Sequence, residues 1–318
     1  MTVLVLAAEL DLTADRMIRV LGEREVQVAR FDTAWFPQAA VVDAELRDGR
    51  WQGTLSAGGR TVVLQGVRSV WYRSPGAFDF PAGLSPVERH WAMTESRLGL
   101  GGVLASLPVT WVNHPARHAD ASYKPVQLVT AARCGLTVAP TLVTNHAAAV
   151  RRFAARGDTV SKALGAPSVR ERDGRRVAFT HVLDRGDLAD LRGVEVAAHQ
   201  FQRWVPKAFE ARVIAVGRRL FTAAIHARTA QARVDWRTDY QALSYQRIDP
   251  PAHVADGVRA YCAALGLLYG AFDFVVRPDG EWVFLECNAG GQYGWIEQEI
   301  RAPITEALAD LLAKEAPR

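Results

Sequence analysis

Residues 270–288, GAFDFVVRPDGEWVFLECN, decide how the rest of the chain is read. Two apolar runs, AFDFVV and EWVFLECN, flank Pro278-Asp279-Gly280, which reads as a β-hairpin. With Asp279-Gly280 as a two-residue turn, Asp273 falls directly opposite Glu286. Directly opposed Cβ atoms lie about 4.5–5.5 Å apart, and residues two apart share a face. Asp273, Glu286 and Asn288 are then expected to converge as three oxygen donors. Such a set, completed by water and phosphate oxygens, suits a hard Mg²⁺ ion held against nucleotide phosphates. A slip of one residue would turn Asp273 to the other face and leave ordinary solvent-facing carboxylates. Strands this apolar seldom carry two unpaired inward carboxylates, which favours convergence.

Outward from the hairpin, the chain alternates strand and helix patterns. TVLVLAA, EVQVARFD, GVRSVWYRSP and VTWVNHP read as strands, with helical periodicity at 13–22 and 85–106 and a polar hairpin-like stretch at 47–64. This predicts an α/β unit with an open, mostly parallel sheet over 1–113. ASYKPVQLVTAARCG reads as a helix with a Ser/Asp start, followed by strand, helix and the strand DTVSKALG, a central lobe over 114–198. From 199 to 318 the pattern is sheet-rich, with a helix at 252–266 and another after Pro303. The stretch 170–195 is polar and resists assignment. The expected class is α/β with α+β lobes.

Composition narrows the function. Apolar content of 49%, charged content of 23% and a net charge of +4 are ordinary for a globular enzyme. The charges are scattered, so nothing calls for nucleic acid, and no run approaches the roughly 20 apolar residues of a membrane span. Cys134, Cys262 and Cys287 form no C-x-x-C pair, which points to a reducing cytoplasm. Of 38 basic residues only four are lysines, Lys124, Lys162, Lys207 and Lys314. A chain so sparing of lysine is expected to keep it where a compact ammonium is needed. Lys124 opens a helix and Lys162 ends a strand near Gly165, positions from which both reach phosphates. No P-loop and no G-x-S-x-G elbow occurs. GLGG at 99–102 reads as helix-end packing. His114 and His118 stand four apart, but Pro115 argues against a regular helix through both, and no third metal ligand is near.

Together these residues resemble the ATP-grasp superfamily, and within it the ribosomal-peptide maturases of the microviridin or graspetide type. ARFDTAWFP, VWYRSP and residues 111–145 resemble that family's N-terminal domain and entry to its core, and FDFVVRPDGEWVFLECNAGGQYGWIE resembles its metal-binding hairpin. The resemblance implies an ATP-grasp fold in which Lys124 and Lys162 bind ATP phosphates. It implies that QFQRWV holds adenine, with Gln202, Trp204 and Val205 beside it, and that Arg212 meets the γ-phosphate and acyl phosphate. Arg237, in VDWR, would face the substrate, and Asp273, Glu286 and Asn288 would hold magnesium. Arg203 and Glu210 depart from the family pattern, where acidic and aspartate residues are usual.

The implied activity joins Asp/Glu side chains of a precursor peptide, leader plus acidic core, to Ser/Thr or Lys side chains; a homodimer is a possible assembly. The main rival is a glutathione-synthetase-like or glutamate-ligase-like enzyme acting on a small molecule or protein tail. A third reading is a catalytically dead nucleotide-binding regulator.

Overall fold

In a computed structural model, β1 (Thr2–Ala7), α1 (Leu12–Glu23) and β2 (Val28–Phe31) open the chain. The structure describes residues 1–165, 168–171 and 174–314. A meander of β3 (Ala40–Arg47), β4 (Arg50–Ala57) and β5 (Arg60–Val63) follows, then β6 (Val67–Ser74), α2 (Pro86–Ala105) and β7 (Thr110–Val112). The expected parallel sheet forms in the order β2-β1-β6-β7. Its strands are buried on both faces, as parallel sheets require. Along β1, Val3, Val5 and Ala7 enter one core while Leu4 and Leu6 enter another with Leu100 and Leu104 of α2. GLGG lies inside the last turns of α2 rather than at its end.

Next come α3 (Pro115–Asp120), α4 (Lys124–Arg133), β8 (Thr137–Val138), β9 (Thr141–Thr144), α5 (Ala147–Ala154) and β10 (Thr159–Lys162). The polar stretch that resisted assignment holds β11 (Ser168–Glu171), β12 (Gly174–Val177), β13 (His181–Val182) and α6 (Arg185–Ala189), ahead of β14 (His199–Arg203). A small antiparallel sheet runs β13-β10-β14-β9. It thus takes β14 from beyond residue 198, while β8 joins the larger sheet beside the final hairpin. As expected, no helix runs through both histidines: α3 begins at Pro115 and leaves His114 outside it in an extended conformation. Pro115 occupies the first helical position of α3, where a missing N–H costs nothing, and His114 caps the helix by accepting from the Ala116 amide. His114 Nε2 donates to Ala105 O, so both ring nitrogens are engaged within the fold. Ser122 does not cap α4; its hydroxyl turns back to His118 O, and Tyr123 precedes the helix without a side-chain cap.

The remainder is β15 (Phe209–Val216), β16 (Arg219–Ala227), α7 (Ala230–Val234), β17 (Leu243–Ile248), α8 (Ala252–Leu265), β18 (Tyr269–Val276), β19 (Trp282–Asn288), α9 (Gly294–Ile300) and α10 (Ile304–Ala313). The six-stranded sheet is ordered β17-β16-β15-β18-β19-β8. Ile214, Val216 and Tyr269 from this sheet share one core with Val3, Met17, Trp71 and Leu308, so the first and last thirds of the chain pack as one unit. Among the described residues no helix is long and apolar enough to cross a membrane.

Candidate active site

A cleft of about 1130 Å³ lies between the small sheet and the larger one, bounded by the carboxyl end of β6. Its floor is set by strand register. Arg212 on β15 pairs directly with Asp273 on β18, and Asp273 pairs directly with Glu286 on β19. Lys124, at the first position of α4, closes the row with Nζ 2.5 Å from Glu286 Oε2. The charges therefore run plus, minus, minus, plus across three strands and a helix. Arg212 Nη1 donates to both Asp273 oxygens at 2.8 Å, and Nη2 reaches Gln292 O at 3.1 Å.

The opposition of Asp273 and Glu286 arises differently from the sequence reading. The turn is not two residues long: Arg277 bonds Glu281, leaving Pro278-Asp279-Gly280 as a three-residue loop with Gly280 at φ 87°. Glycine adopts that left-handed conformation without the Cβ penalty. The longer loop sets Phe274 opposite Phe284, and a bulge at Leu285 then restores Asp273 to Glu286. The two one-residue shifts cancel. The bulge also turns Leu285 into the cleft beside Glu286.

Burial pushes the Asp273 carboxyl above its ordinary value, with Arg212 opposing. Glu286 is half-buried, and Lys124 and then Lys162 hold it below the usual range despite that burial. Asn288 lies two residues along the same face, Nδ2 3.4 Å from Glu286 Oε1. Two carboxylates and one side-chain amide thus lie together, a sparse set of the kind that could hold Mg²⁺ when phosphates complete its shell. Among the described residues no three His, Cys, Asp or Glu side chains gather for a metal, here or elsewhere.

The opposite wall carries Lys162 at the end of β10. Its Nζ donates to Gln202 Oε1 at 3.0 Å, and Gln202 is itself fixed by donating to Thr141 Oγ1. Burial lowers the Lys162 ammonium to about 8 despite Glu286 and Glu210 nearby. Trp204 and Val205 continue this wall, with the Trp204 amide bonded to Asp158 O. Arg203 folds away onto the Gly157 and Phe153 carbonyls. Arg237 lines the cleft in a bidentate pair with Asp235, Nε–Oδ1 2.8 Å and Nη2–Oδ2 2.6 Å.

All ten residues singled out from the sequence therefore border this one cleft. The sequence reading left out several partners. Glu210 was noted only as a departure from the family pattern, and Lys207 only as one of four scarce lysines; the two form a half-buried ion pair, with Lys207 over the Trp204 ring. The loop 289–292 was quoted only as part of a block. Each of its four carbonyls accepts a bond from elsewhere: Ala289 from Asn113, Gly290 from Arg73, Gly291 from Tyr269 and Gln292 from Arg212. Arg73 is a buried strut, with Nη2 3.5 Å from Asp11. Both glycines are required by close approach. A Cβ on Gly290 would lie 2.7 Å from the His118 ring, and one on Gly291 2.7 Å from Ala271 Cβ and 3.0 Å from Arg212.

Two lobes closing over paired carboxylates and lysines define an ATP-grasp architecture. Residues 2–119 match the family profile of the MvdD pre-ATP grasp domain. The fold is similar to macrocyclase MdnC of Microcystis aeruginosa MRC, bound with precursor peptide MdnA, at 30% identity over 98% of this chain and 99% of that chain, TM-score 0.87. It is also similar to a RiPP-associated ATP-grasp ligase of Chryseobacterium gregarium in complex with ADP and a leader and core peptide, at 26% identity over 100% and 98%, TM-score 0.90. Macrocyclase MdnB of Microcystis aeruginosa MRC gives 30% identity over 98% and 99%, TM-score 0.82. No curated protein matches the chain in sequence. The chain belongs to the ATP-grasp ligases of ribosomal-peptide maturation, a family of ATP-dependent ligases.

Proposed function

We propose that this ligase activates Asp or Glu side chains of a ribosomal precursor peptide as acyl phosphates. It then joins them to Ser/Thr hydroxyls or Lys amines of the same peptide, closing macrolactone or macrolactam rings. The observation that carries this is the row Arg212–Asp273–Glu286–Lys124 across the cleft floor, facing Lys162, in a chain whose relatives hold ADP and precursor peptides. Leader and acidic core are the peptide parts that the basic chain, net charge +4, would meet.

Asp273, Glu286 and Asn288 fit Mg²⁺ by donor type and number, and would hold it. When bound, the ion neutralises charge on the β- and γ-phosphates. Lys124 and Lys162 hold phosphates from opposite walls, while Gln202, Trp204 and Val205 border the adenine. Arg212 stabilises charge on the transferring phosphoryl group and then on the tetrahedral oxyanion. Because its Nη2 is tied to Gln292 O, it has no reorganisation to undergo at that moment. Arg237, fixed by Asp235, orients the substrate carboxylate from the other side. These residues position and stabilise, which is most of what phosphoryl transfer asks of a protein. The segments 1–113, 114–198 and 199–318 would serve as N-terminal domain and two ATP-grasp lobes, with β14 completing the small sheet of the central lobe and β8 the large sheet of the last. Three free cysteines suit a cytoplasmic setting, and a homodimer is compatible.

Mass spectrometry of the enzyme with a genome-neighbouring acidic peptide, ATP and Mg²⁺ tests this. The expected product is lighter by one water per ring, with one ATP consumed each time. Reversal by mild base marks esters, the linkage we favour, and resistance marks amides. An unchanged peptide alongside ligation of free amino acids would transfer the chain to the small-molecule ligases.

A further inference from the structure

Five carboxylates line the cleft: Glu210, Asp235, Asp273, Glu286 and Glu299. Four hold a partner cation, in the order Lys207, Arg237, Arg212 and Lys124. Glu299, on α9, has no ion-pair partner among the described residues and is exposed at the cleft rim. Trp295 stands four residues before it, on the same side of the helix. Trp295 packs against Trp236 at 5.2 Å between ring centroids and against Tyr245 at 5.3 Å, and Tyr240 packs edge-on to Trp236 at 5.6 Å. All four rings line the cleft, and Ile225, Ala232 and Leu243 back the wall they form. Burial, then the Glu299 charge, push the Tyr245 phenol up to about 12, so it stays neutral beside that carboxylate.

An acidic side chain is repelled from such a place, and a neutral apolar one leaves Glu299 uncompensated. A cation satisfies both features at once, since ring faces and a carboxylate each attract positive charge. We infer that Glu299, Trp295 and Tyr245, with Trp236 and Tyr240 beside them, form a subsite for a lysine ammonium of the peptide. Among the described residues, two cleft-lining charges are thereby left unbalanced: Lys162 lacks a carboxylate partner and suits phosphate, and Glu299 lacks a cation and suits lysine. The subsite keeps the ammonium protonated and hence not nucleophilic. Its part is to select and orient the peptide around the reacting carboxylate.

The occupant rests on the peptide-ligase reading, but the chemistry is testable without the peptide. Saturation-transfer NMR on the full chain compares N-acetyl-lysine methylamide with N-acetyl-norleucine methylamide. The lysine probe is expected to bind at least about tenfold more tightly. Glu299→Gln should bring the two together, Glu299→Lys should abolish lysine binding, and Glu306→Gln on α10 should change nothing. Equal binding of both probes, binding of neither, or discrimination that survives Glu299→Gln would overturn the subsite. Such a failure leaves ATP-dependent water loss from the peptide untouched. Failure of that assay leaves the probe result standing, so the two readings fall separately.

Discussion

The two walls of the cleft are built on opposite terms. On the floor, β15, β18 and β19 carry Arg212, Asp273 and Glu286 over a core containing Val213, Tyr261, Phe272, Phe274 and Phe284. Every floor charge has a partner of opposite sign within 2.5–2.8 Å. The small sheet β13-β10-β14-β9 rests on a core of Val150, Val194 and Phe201 with a few half-buried neighbours, and offers a lysine bonded to a neutral amide. Preorganised, charge-balanced groups hold their geometry whether or not ligand is present. An unbalanced cation over a slight core is easily neutralised and is carried by an element with less holding it in place. Substitutions on the floor should therefore upset a partner, and those on the wall should change only the affinity for anions.

Arg212→Met is the strongest test of the floor. It strands Asp273, whose side chain is 13% exposed, beside Glu286, and should cost about 3–5 kcal/mol of stability along with ligation. In the variant, Asp273 would hold a raised pKa, so the folded state binds more protons than the unfolded one. The deficit should then shrink as pH falls towards 4. Arg212→Met with Asp273→Leu should recover stability in urea unfolding but not activity. A single variant as stable as the parent would show the row to be unbalanced already.

Glu286→Gln separates chemistry from fold on the same wall. The amide still accepts from Lys124, so stability should change by less than about 1.5 kcal/mol. Losing the charge that meets the metal should remove several kcal/mol of transition-state stabilisation, over a hundredfold in turnover at saturating Mg-ATP. Near-normal turnover would take the hairpin out of the chemistry.

The difference between the walls also explains what the sequence reveals. Hairpin, scarce lysines and Glu-x-Asn spacing are local, and local pattern is what period-two alternation and turn residues record. Gly280 marks the three-residue loop in hindsight, whereas nothing about Leu285 marks a bulge; the correct register comes from two compensating shifts. The parallel N-terminal sheet is legible because its central strand β1, TVLVLA, is a nearly continuous apolar run. Residues 170–195 are not, because their polar composition carries no clear period and a strand as short as β13, two residues, records none. The struts of the 289–292 loop leave no trace at all. Asn113 and Arg73 lie 176 and 217 residues from the carbonyls they hold, and a backbone acceptor has no residue type to read.

On the wall, Lys162 should reveal itself through pH. Its folded value of about 8 lies below that of a free lysine, so above pH 8 the unliganded cleft loses the charge that attracts phosphate. Nucleotide affinity measured by calorimetry should fall through this range by up to about tenfold per pH unit, with proton uptake on binding. The linkage to stability has the opposite sign. Between about 8 and 10.4 the unfolded chain binds more protons at this group, so its contribution to stability rises with pH. Lys162→Met should bind nucleotide weakly and without this pH dependence; a slope that persists in Lys162→Met belongs to another group.

The smallest effects should come from Lys207 and Lys314. Lys207 borders the same cleft, yet its charge is spent on Glu210, which burial already drives towards protonation. Lys207→Ala should let Glu210 take up a proton rather than leave a bare carboxylate, since burial disfavours the charged form. Nucleotide affinity should then fall no more than about threefold, because one cancelled charge is replaced by none. Lys124→Ala should cost more, as Glu286 is held ionised by Lys124 and lies beside the proposed metal. Lys314, beyond the end of α10, should give no change when replaced by alanine. Calorimetry at pH 7 should therefore rank the losses as Lys162 and Lys124, then Lys207, then Lys314. If Lys207→Ala weakens binding as much as Lys162→Ala, the Lys207–Glu210 pair opens on ligand binding, and the division between balanced floor and unbalanced wall does not hold.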